Sequence, residues 1–296
     1  MDLYKTKENV FTDSDFANSL SALNLKGVNL YLCSSLLSLG RPLSLKVPEK
    51  LIEIVIDQLG TEGTLTIPSY TFSGYNKEIF DSETSKCIVG TLGETARKMP
   101  GFTRTIHPIY SHAVVGKYAE KLNSQRIDTC FGKGSYFDIF CSIPNSVVLV
   151  LGSSLSALAF YHCYDQLFNA SGRFIKKFTG KIKEGEGIRE IEFDSFVKDY
   201  DNFYTGTLMN CLGRFDALAT GLGLLKHIPF AGNYIHCIQE NDFKRLYEAC
   251  LKVDQKYFLC STKDEWEVYY PKNNFTLFHG KLEKDKFQEI KKILLQ

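Results

Sequence analysis

Apolar residues in this chain fall into short runs, and polar residues collect where the runs end. The apolar run 147–151 predicts a buried strand, and the glycine and serines at 152–154 then turn the chain toward His162 and Asp165. Further strand patterns lie at residues 28–33, 63–68, 113–115 and 234–238. Because they lie at strand ends, the polar residues are expected to meet at one edge of a sheet.

Amphipathic helices alternate with these strands. Pro48 at a first helical position, apolar residues at helical spacing and Gly60 just past the end predict one helix. Further helices are predicted over 90–98, from Ser135 onward, and over 204–225, 241–251 and 284–295. This alternation predicts an α/β fold, a three-layer sandwich around a mostly parallel sheet.

One segment departs from the alternation. Residues 172–197 show strand patterns on both sides of the turn Gly185-Glu186-Gly187, which predicts an antiparallel hairpin insert. Such an insert commonly forms a wall beside a site. We expect a single domain over 1–296, with this hairpin and a C-terminal extension at 263–296 of mixed strand and helix character.

Composition excludes several classes of protein. The chain has 296 residues, 44% of them hydrophobic, and a net charge of +1 without a basic patch, so we expect no nucleic-acid partner. The most apolar window is too short to cross a membrane, and no signal peptide is evident, so we expect no membrane association. Nine scattered cysteines without CxxC spacing indicate buried thiols in a reducing compartment, hence the cytoplasm. No histidine–cysteine cluster has metal-ligand spacing, so we expect no metal.

His162 is the leading candidate for chemistry. It precedes Asp165 by three residues on a predicted helix, so both side chains share a helix face. A neutral imidazole accepts protons near neutral pH, and a carboxylate one turn away can orient it. The alternative is a core histidine with no catalytic part.

Five motifs in one order give a resemblance. They are Tyr31-Leu32-Cys33-Ser34-Ser35-Leu36 with Gly40; Gly63-Thr64-Leu65-Thr66-Ile67-Pro68-Ser69-Tyr70-Thr71-Phe72; Arg104-Thr105-Ile106-His107-Pro108 with Ser111; Phe131-Gly132-Lys133-Gly134-Ser135; and Leu151-Gly152 with His162 and Asp165. In this order and at this spacing, residues 20–255 resemble the aminoglycoside 3-N-acetyltransferase family, and Gly232-Asn233 is similar to a late element of that family.

The resemblance implies transfer of an acetyl group from acetyl-coenzyme A to an amine on a sugar or aminocyclitol ring. It implies that His162 is the general base, that Asp165 orients it or holds the incoming ammonium, and that His107 belongs to the catalytic group. It further implies coenzyme A contacts for a set of six residues: Ser34, Ser35, Leu36, Arg104, Ser111 and Ser135. Ser111 and Ser135 have an alternative role as turn or helix caps, and His107 one as a residue that shapes its loop. A homodimer is compatible with the sequence.

Departures from the family pattern bear on the acceptor. Ala159 stands where the family has threonine, and Asp165 where it has glutamate. Leu155 and Ser156 replace a histidine and an aspartate that would help to receive a polycationic antibiotic. We therefore expect a less cationic acceptor, an amino sugar linked to a nucleotide on the way to a surface glycan, with an aminoglycoside as the other candidate. Ala159 also leaves room for an acyl group larger than acetyl.

Two rival functions follow from other residues. Cys33 stands where the family has histidine, and as a nucleophile it would make the protein a coenzyme A thioesterase or amidase; a packed thiol is the alternative. The departures at Ala159 and Asp165 also allow a noncatalytic coenzyme A or glycan-binding module.

Overall fold

A computed structural model describes residues 1–199, 209–210, 212–260 and 284–296. Its strands are β1 (Asp2–Lys5), β2 (Val10–Thr12), β3 (Asn29–Ser34), β4 (Arg41–Pro42), β5 (Thr64–Pro68), β6 (Ile79–Phe80), β7 (Thr103–Arg104), β8 (His112–Gly116), β9 (Ser146–Leu151), β10 (Arg173–Glu184), β11 (Gly187–Lys198), β12 (Met209–Asn210), β13 (Lys226–Phe230), β14 (Asn233–Gln239) and β15 (Leu259–Cys260). Its helices are α1 (Asp13–Ser21), α2 (Val47–Leu59), α3 (Ser73–Asn76), α4 (Thr91–Ala96), α5 (Ala119–Asn123), α6 (Tyr136–Cys141), α7 (Tyr161–Leu167), α8 (Gly213–Gly221), α9 (Glu240–Val253) and α10 (Lys284–Leu294), with 3-10 turns at Leu36–Leu39 and Leu155–Ala157.

The main sheet has seven strands in the order β13-β14-β9-β3-β5-β8-β7. The α/β class is confirmed, but the expectation of a mostly parallel sheet is wrong. Only β3 with β9 and β3 with β5 are parallel, while the other four pairings are antiparallel. Short links join β7 to β8 and β13 to β14. They reverse the chain, so each of these two pairs of strands can only be antiparallel.

Helices cover both faces of this sheet, which gives three layers. Along β9, the side chains of Val148 and Val150 enter one core, and those of Val147, Leu149 and Leu151 enter the other. Burial on both faces explains why this strand is a continuous apolar run. The core on one face includes residues of α1, α2 and α4, and the core on the other includes residues of α6, α7, α8 and α9.

The hairpin of β10 and β11 stands outside the main sheet. Its ladder runs from Arg173 opposite Lys198 to Glu184 opposite Gly187, and β10 also pairs with β6. Gly185 at the turn has a φ of 55°, a conformation that glycine adopts without strain. The sequence places this antiparallel insert correctly.

Several predicted segments lie partly outside the described residues. The helix predicted over 204–225 is wrong at Met209–Asn210, which pair with β15 as strand β12. From Leu212 onward it is present as α8, which ends at Gly221. The C-terminal extension is described from Lys284, and α10 matches the final predicted helix; the mixed segment before it lies outside. No helix in the described ranges is both long enough and apolar enough to cross a bilayer.

Candidate active site

Helix α7 carries the candidate base. After β9 the chain makes the 3-10 turn Leu155–Ala157 and enters α7, where His162 and Asp165 lie one turn apart. His162 Nδ1 lies 3.1 Å from Asp165 Oδ2, within hydrogen-bond distance. The predicted pairing of these two side chains is therefore present.

Two further groups, which the sequence pattern does not predict, contact the Asp165 carboxylate. Arg173 Nε lies 3.1 Å from Asp165 Oδ2, and the Tyr247 hydroxyl donates to Asp165 Oδ1 at 2.6 Å. The Asp165 side chain is only 6% exposed, and such burial by itself raises a carboxyl pKa. The hydrogen bond to His162 and the charge of Arg173 outweigh burial, so the pKa of Asp165 is lowered and the group is ionised.

An ionised carboxylate only accepts hydrogen bonds, which fixes the state of His162. Its Nδ1 must carry the proton that is donated to Asp165, so Nε2 keeps its lone pair when the ring is neutral. Burial lowers the pKa of His162, although the hydrogen bond to Asp165 opposes this effect. The ring is thus neutral near pH 7 and ready to accept a proton.

The His162 side chain, 19% exposed, forms part of the wall of a cavity of about 650 Å³. The other side of this cavity is the hairpin, from which the first residues of β10 and the last residues of β11 line it. Its lining consists of Tyr75, Tyr110, Phe131, Tyr161, His162, Arg173, Phe174, Lys176, Phe178, Ser195, Phe196, Val197, Lys198 and Asp199. We call it the hairpin cavity.

Two adjoining cavities lie at the carboxyl end of β3. The inner one, of about 400 Å³, and the outer one, of about 450 Å³, share Ser34, Ser35, Val89 and Gly90. The inner cavity also contacts Ala159, whose carbonyl accepts a hydrogen bond from the His162 backbone N–H at 3.1 Å. The inner cavity and the hairpin cavity therefore lie on either side of residues 159–162. We call the inner and outer cavities together the strand-end channel.

The turn after β3 is tightly packed against the end of β9. The Ser35 N–H donates to the Leu151 carbonyl at 2.8 Å, and the Ser38 hydroxyl donates to the Gly152 carbonyl. Gly152 has a φ of 72°, and a Cβ there would lie 2.7 Å from the Ser35 carbonyl oxygen. Only glycine fits at this contact. Leu36, another predicted contact residue, lines the outer cavity.

Three other residues that were predicted to contact coenzyme A, namely Arg104, Ser111 and Ser135, do not line these cavities. Arg104 donates to the carbonyls of Ser69, Ser82 and Ser85, and its Nε donates to the Ser111 hydroxyl. Ser111 donates in turn to the Ser69 carbonyl at 2.6 Å. These bonds fix the backbone that leads from β5 into the channel wall.

The side chains of Ser135 and His107 also accept hydrogen bonds from nearby backbone N–H groups. Ser135 is the N-cap of α6, and its hydroxyl accepts from the Asp138 N–H. His107 Nδ1 accepts from the N–H groups of Ile109 and Tyr110, both at 3.1 Å. Burial lowers the pKa of His107 to about 3, so its ring is neutral. His107 thus fixes the backbone of Tyr110, which lines the hairpin cavity.

Cys33 lines the inner cavity, but its thiol is not activated. Burial raises the pKa of Cys33 to about 12, and a nearby Cys87 contributes in the same direction. A nucleophilic cysteine requires the opposite shift.

Sequence reasoning missed Arg173, Tyr247 and Lys198. Tyr247 lies 82 residues beyond Asp165, and Arg173 and Lys198 lie at the base of the hairpin. The position of Arg173 at the start of a predicted wall strand is a signal in the sequence for one of these three residues.

A neutral imidazole held by a buried carboxylate, on the wall of one cavity and close to a second, is typical of α/β enzymes that move a group between two bound substrates. Comparisons with known proteins specify which one. The family model for aminoglycoside 3-N-acetyltransferase matches residues 32–210, well over half of the chain. The chain belongs to the aminoglycoside 3-N-acetyltransferase family, and the predicted family and acyltransferase class are confirmed.

Solved structures support the fold. The apoenzyme of aminoglycoside acetyltransferase AAC(3)-IVa is 23% identical, with a TM-score of 0.68 over 86% of this chain and 93% of that one. AAC-IIIb in its binary complex with CoASH is 20% identical, with a TM-score of 0.67 over 82% and 96%. The YokD protein from Bacillus subtilis is 18% identical, with a TM-score of 0.64 over 80% and 92%. No curated protein sequence matches the chain.

Proposed function

We propose that this protein transfers an acetyl group from acetyl-coenzyme A to an amino group of an amino sugar, with His162 as the general base. The observation that carries the proposal is the neutral imidazole on the wall of the hairpin cavity, whose Nδ1 is committed to an ionised Asp165. That arrangement leaves Nε2 as the proton acceptor.

The reaction is a direct transfer in a ternary complex. An ammonium group has no lone pair for attack on a thioester, so His162 Nε2 first takes its proton. The amine nitrogen then bonds to the thioester carbonyl carbon. The tetrahedral intermediate releases a second nitrogen proton to solvent, and the carbon–sulfur bond breaks as it collapses to the amide. The coenzyme A thiolate leaves and recovers the proton from the imidazolium, which restores the base.

The strand-end channel is the proposed binding site of acetyl-coenzyme A. It consists of two adjoining cavities, and the inner one reaches Ala159, three residues before His162. Ser34 and Ser35 line both of its cavities, so we place the pyrophosphate at their turn. AAC-IIIb, which shares this fold, has been solved in a binary complex with CoASH, which supports coenzyme A as the carrier of the acetyl group. Arg104, Ser111 and Ser135 then act by holding the surrounding backbone, and the catalytic role of His107 stays a prediction.

The proposed acceptor is an amino sugar, linked to a nucleotide for surface glycan synthesis. Leu155 is buried and Ser156 bonds to Ser154, so these two positions offer no carboxylate for a polycation. An aminoglycoside is the second candidate, because the family is named for such substrates and AAC-VIa has been solved with sisomicin bound. A homodimer and a cytoplasmic location stay predictions.

The test is turnover by the wild-type protein and by a His162→Ala variant. Thioester loss is followed with acetyl-coenzyme A and a panel of aminoglycosides, free amino sugars and nucleotide-linked amino sugars. We expect turnover with at least one amine, and a loss of about 100-fold to 10,000-fold in His162→Ala, the usual contribution of a general base. His227→Ala is the matched control, since His227 pairs with His236 outside the three cavities. Equal turnover by both variants would remove His162 from the mechanism.

A further inference from the structure

Two cations face each other at the base of the hairpin. Arg173 and Lys198 are direct register partners across β10 and β11, and both line the hairpin cavity. Directly opposed side chains share a sheet face with Cβ atoms about 5 Å apart, and like charges so placed destabilise the pair. Such a pair calls for anions nearby.

Among the described residues, a carboxylate pairs directly with Arg173 but not with Lys198. Arg173 pairs with Asp165, and that carboxylate also serves His162 and Tyr247. Lys198 Nζ has no hydrogen bond or ion pair with any residue that the structure describes, although the side chain is half-buried. Burial, and then the charge of Arg173, lower the pKa of Lys198, and the charge of Asp165 opposes this shift only in part.

The rest of the lining fits an anionic ligand with a flat ring. Among the described lining residues, three are cations, namely Arg173, Lys176 and Lys198, and one, Asp199, is a carboxylate. Lys176 Nζ lies 5.5 Å from the centroid of the Phe178 ring, which in turn lies 4.8 Å from the ring of Tyr75. Exposed aromatic rings of this kind offer a stacking surface for a sugar or a base.

We infer that Lys198, beside Arg173, forms a phosphate-binding subsite in the hairpin cavity, which selects acceptors that carry a phosphate or diphosphate. The inference rests on the proposed function, because it assigns this cavity to the acceptor. A phosphate on Lys198 would relieve the like-charge pair and leave the Arg173–Asp165 contact intact, so substrate binding would not disturb the base. A polycationic acceptor would instead meet the positive charges of Lys176 and Lys198.

The kinetic test compares two acceptors that differ only in the anion. A uridine diphosphate-linked amino sugar and the same sugar without the diphosphate are assayed with wild type, Lys198→Gln and Lys198→Arg. We expect Lys198→Gln to raise the KM for the diphosphate acceptor by about 10-fold to 100-fold, the contribution of one charge-assisted hydrogen bond. The KM for the free sugar rises far less than that for the diphosphate acceptor, and Lys198→Arg restores most of the loss. Lys181→Gln is the control, since Lys181 lies on the same hairpin outside the cavity and pairs with Glu190 at 3.4 Å.

A binding test separates this inference from the proposed function. Uridine diphosphate is titrated calorimetrically into wild type, His162→Ala and Lys198→Gln, each with saturating coenzyme A so that the strand-end channel is filled. Binding to the first two proteins but not to the third supports the subsite, even if no amine is acetylated. Absence of uridine diphosphate binding to wild type, or equal binding to Lys198→Gln, overturns the subsite, even if His162-dependent turnover of free amino sugars or aminoglycosides is found.

Discussion

Substitution of Asp165 by asparagine tests how the base is held. The carboxylate accepts from three donors, His162 Nδ1 and Arg173 Nε at 3.1 Å and the Tyr247 hydroxyl at 2.6 Å. Asparagine preserves the shape but offers one oxygen and no charge. Its amide also donates protons, so when the –NH₂ faces His162, the ring must turn Nδ1 into an acceptor and place its proton on Nε2.

The magnitudes follow from these contacts. The Arg173 side chain is 7% exposed, so Asp165→Asn leaves a buried cation without its partner, a change that costs about 3–5 kcal/mol of unfolding free energy. We expect the lower end, about 3 kcal/mol, because the asparagine oxygen keeps one hydrogen bond. Domains are typically stable by about 5–15 kcal/mol, so the variant is expected to fold. Turnover should fall by about 100-fold to 10,000-fold, since an uncharged amide no longer stabilises the imidazolium that forms when Nε2 takes a proton.

Stability is measured by urea unfolding followed by circular dichroism, and turnover by loss of thioester absorbance. A thiol reagent is avoided because the chain has nine cysteines. Glu240→Gln is the matched control: Glu240 is a buried carboxylate that accepts from the Tyr164 hydroxyl at 2.6 Å. If Asp165→Asn turns over as fast as Glu240→Gln, Asp165 does not set the state of His162 and the reasoning is wrong.

Two further predictions concern other buried groups. Because burial raises the pKa of Cys33 to about 12, Cys33→Ser should keep wild-type turnover; its loss, together with acceptor-independent release of coenzyme A by wild type, would favour the thioesterase alternative. Burial lowers the pKa of His107 to about 3 and that of His236 to about 4, so the unfolded chain binds these protons first as the pH falls below about 6.5. Each should therefore cost about 1.4 kcal/mol of stability per pH unit between about 6.5 and its folded pKa. Urea midpoints at a series of pH values should show a shallower slope for His236→Gln than for wild type, and an equal slope would contradict the assignment.

Local pattern predicted the elements better than their arrangement. The strands β3, β5, β8, β9 and β14 and the helices α2, α6 and α9 follow from runs, periodicity and end signals in the sequence. Strand direction does not, because β9 has the same apolar run whether its neighbour is the parallel β3 or the antiparallel β14. Direction is set by the length of the connections and by which sheet edge remains free, and neither is a property of one segment.

The site shows the same division. His162 and Asp165 are i,i+3 neighbours, so their contact could be predicted from helical geometry alone. Ser34, Ser35 and Leu36 follow a strand end and line the channel, as the family motif implied. Arg173 and Tyr247 reach Asp165 only through tertiary packing, and the register that opposes Arg173 to Lys198 depends on the hairpin turn 11 residues away at Glu184.

The hairpin wall of the hairpin cavity is built separately from the strand-end channel. Its residues 173–198 are contiguous in sequence, whereas the strand-end channel is assembled from several distant segments around β3, β5, α4 and β9. The hairpin can therefore be exchanged as one contiguous segment, by evolution or by design, while the residues of the strand-end channel stay the same. Such a graft must retain Arg173, which pairs with Asp165, and the hydrogen bonds of Asp194 with Thr129 and of Ser195 with Tyr75 that join the hairpin to the rest of the chain.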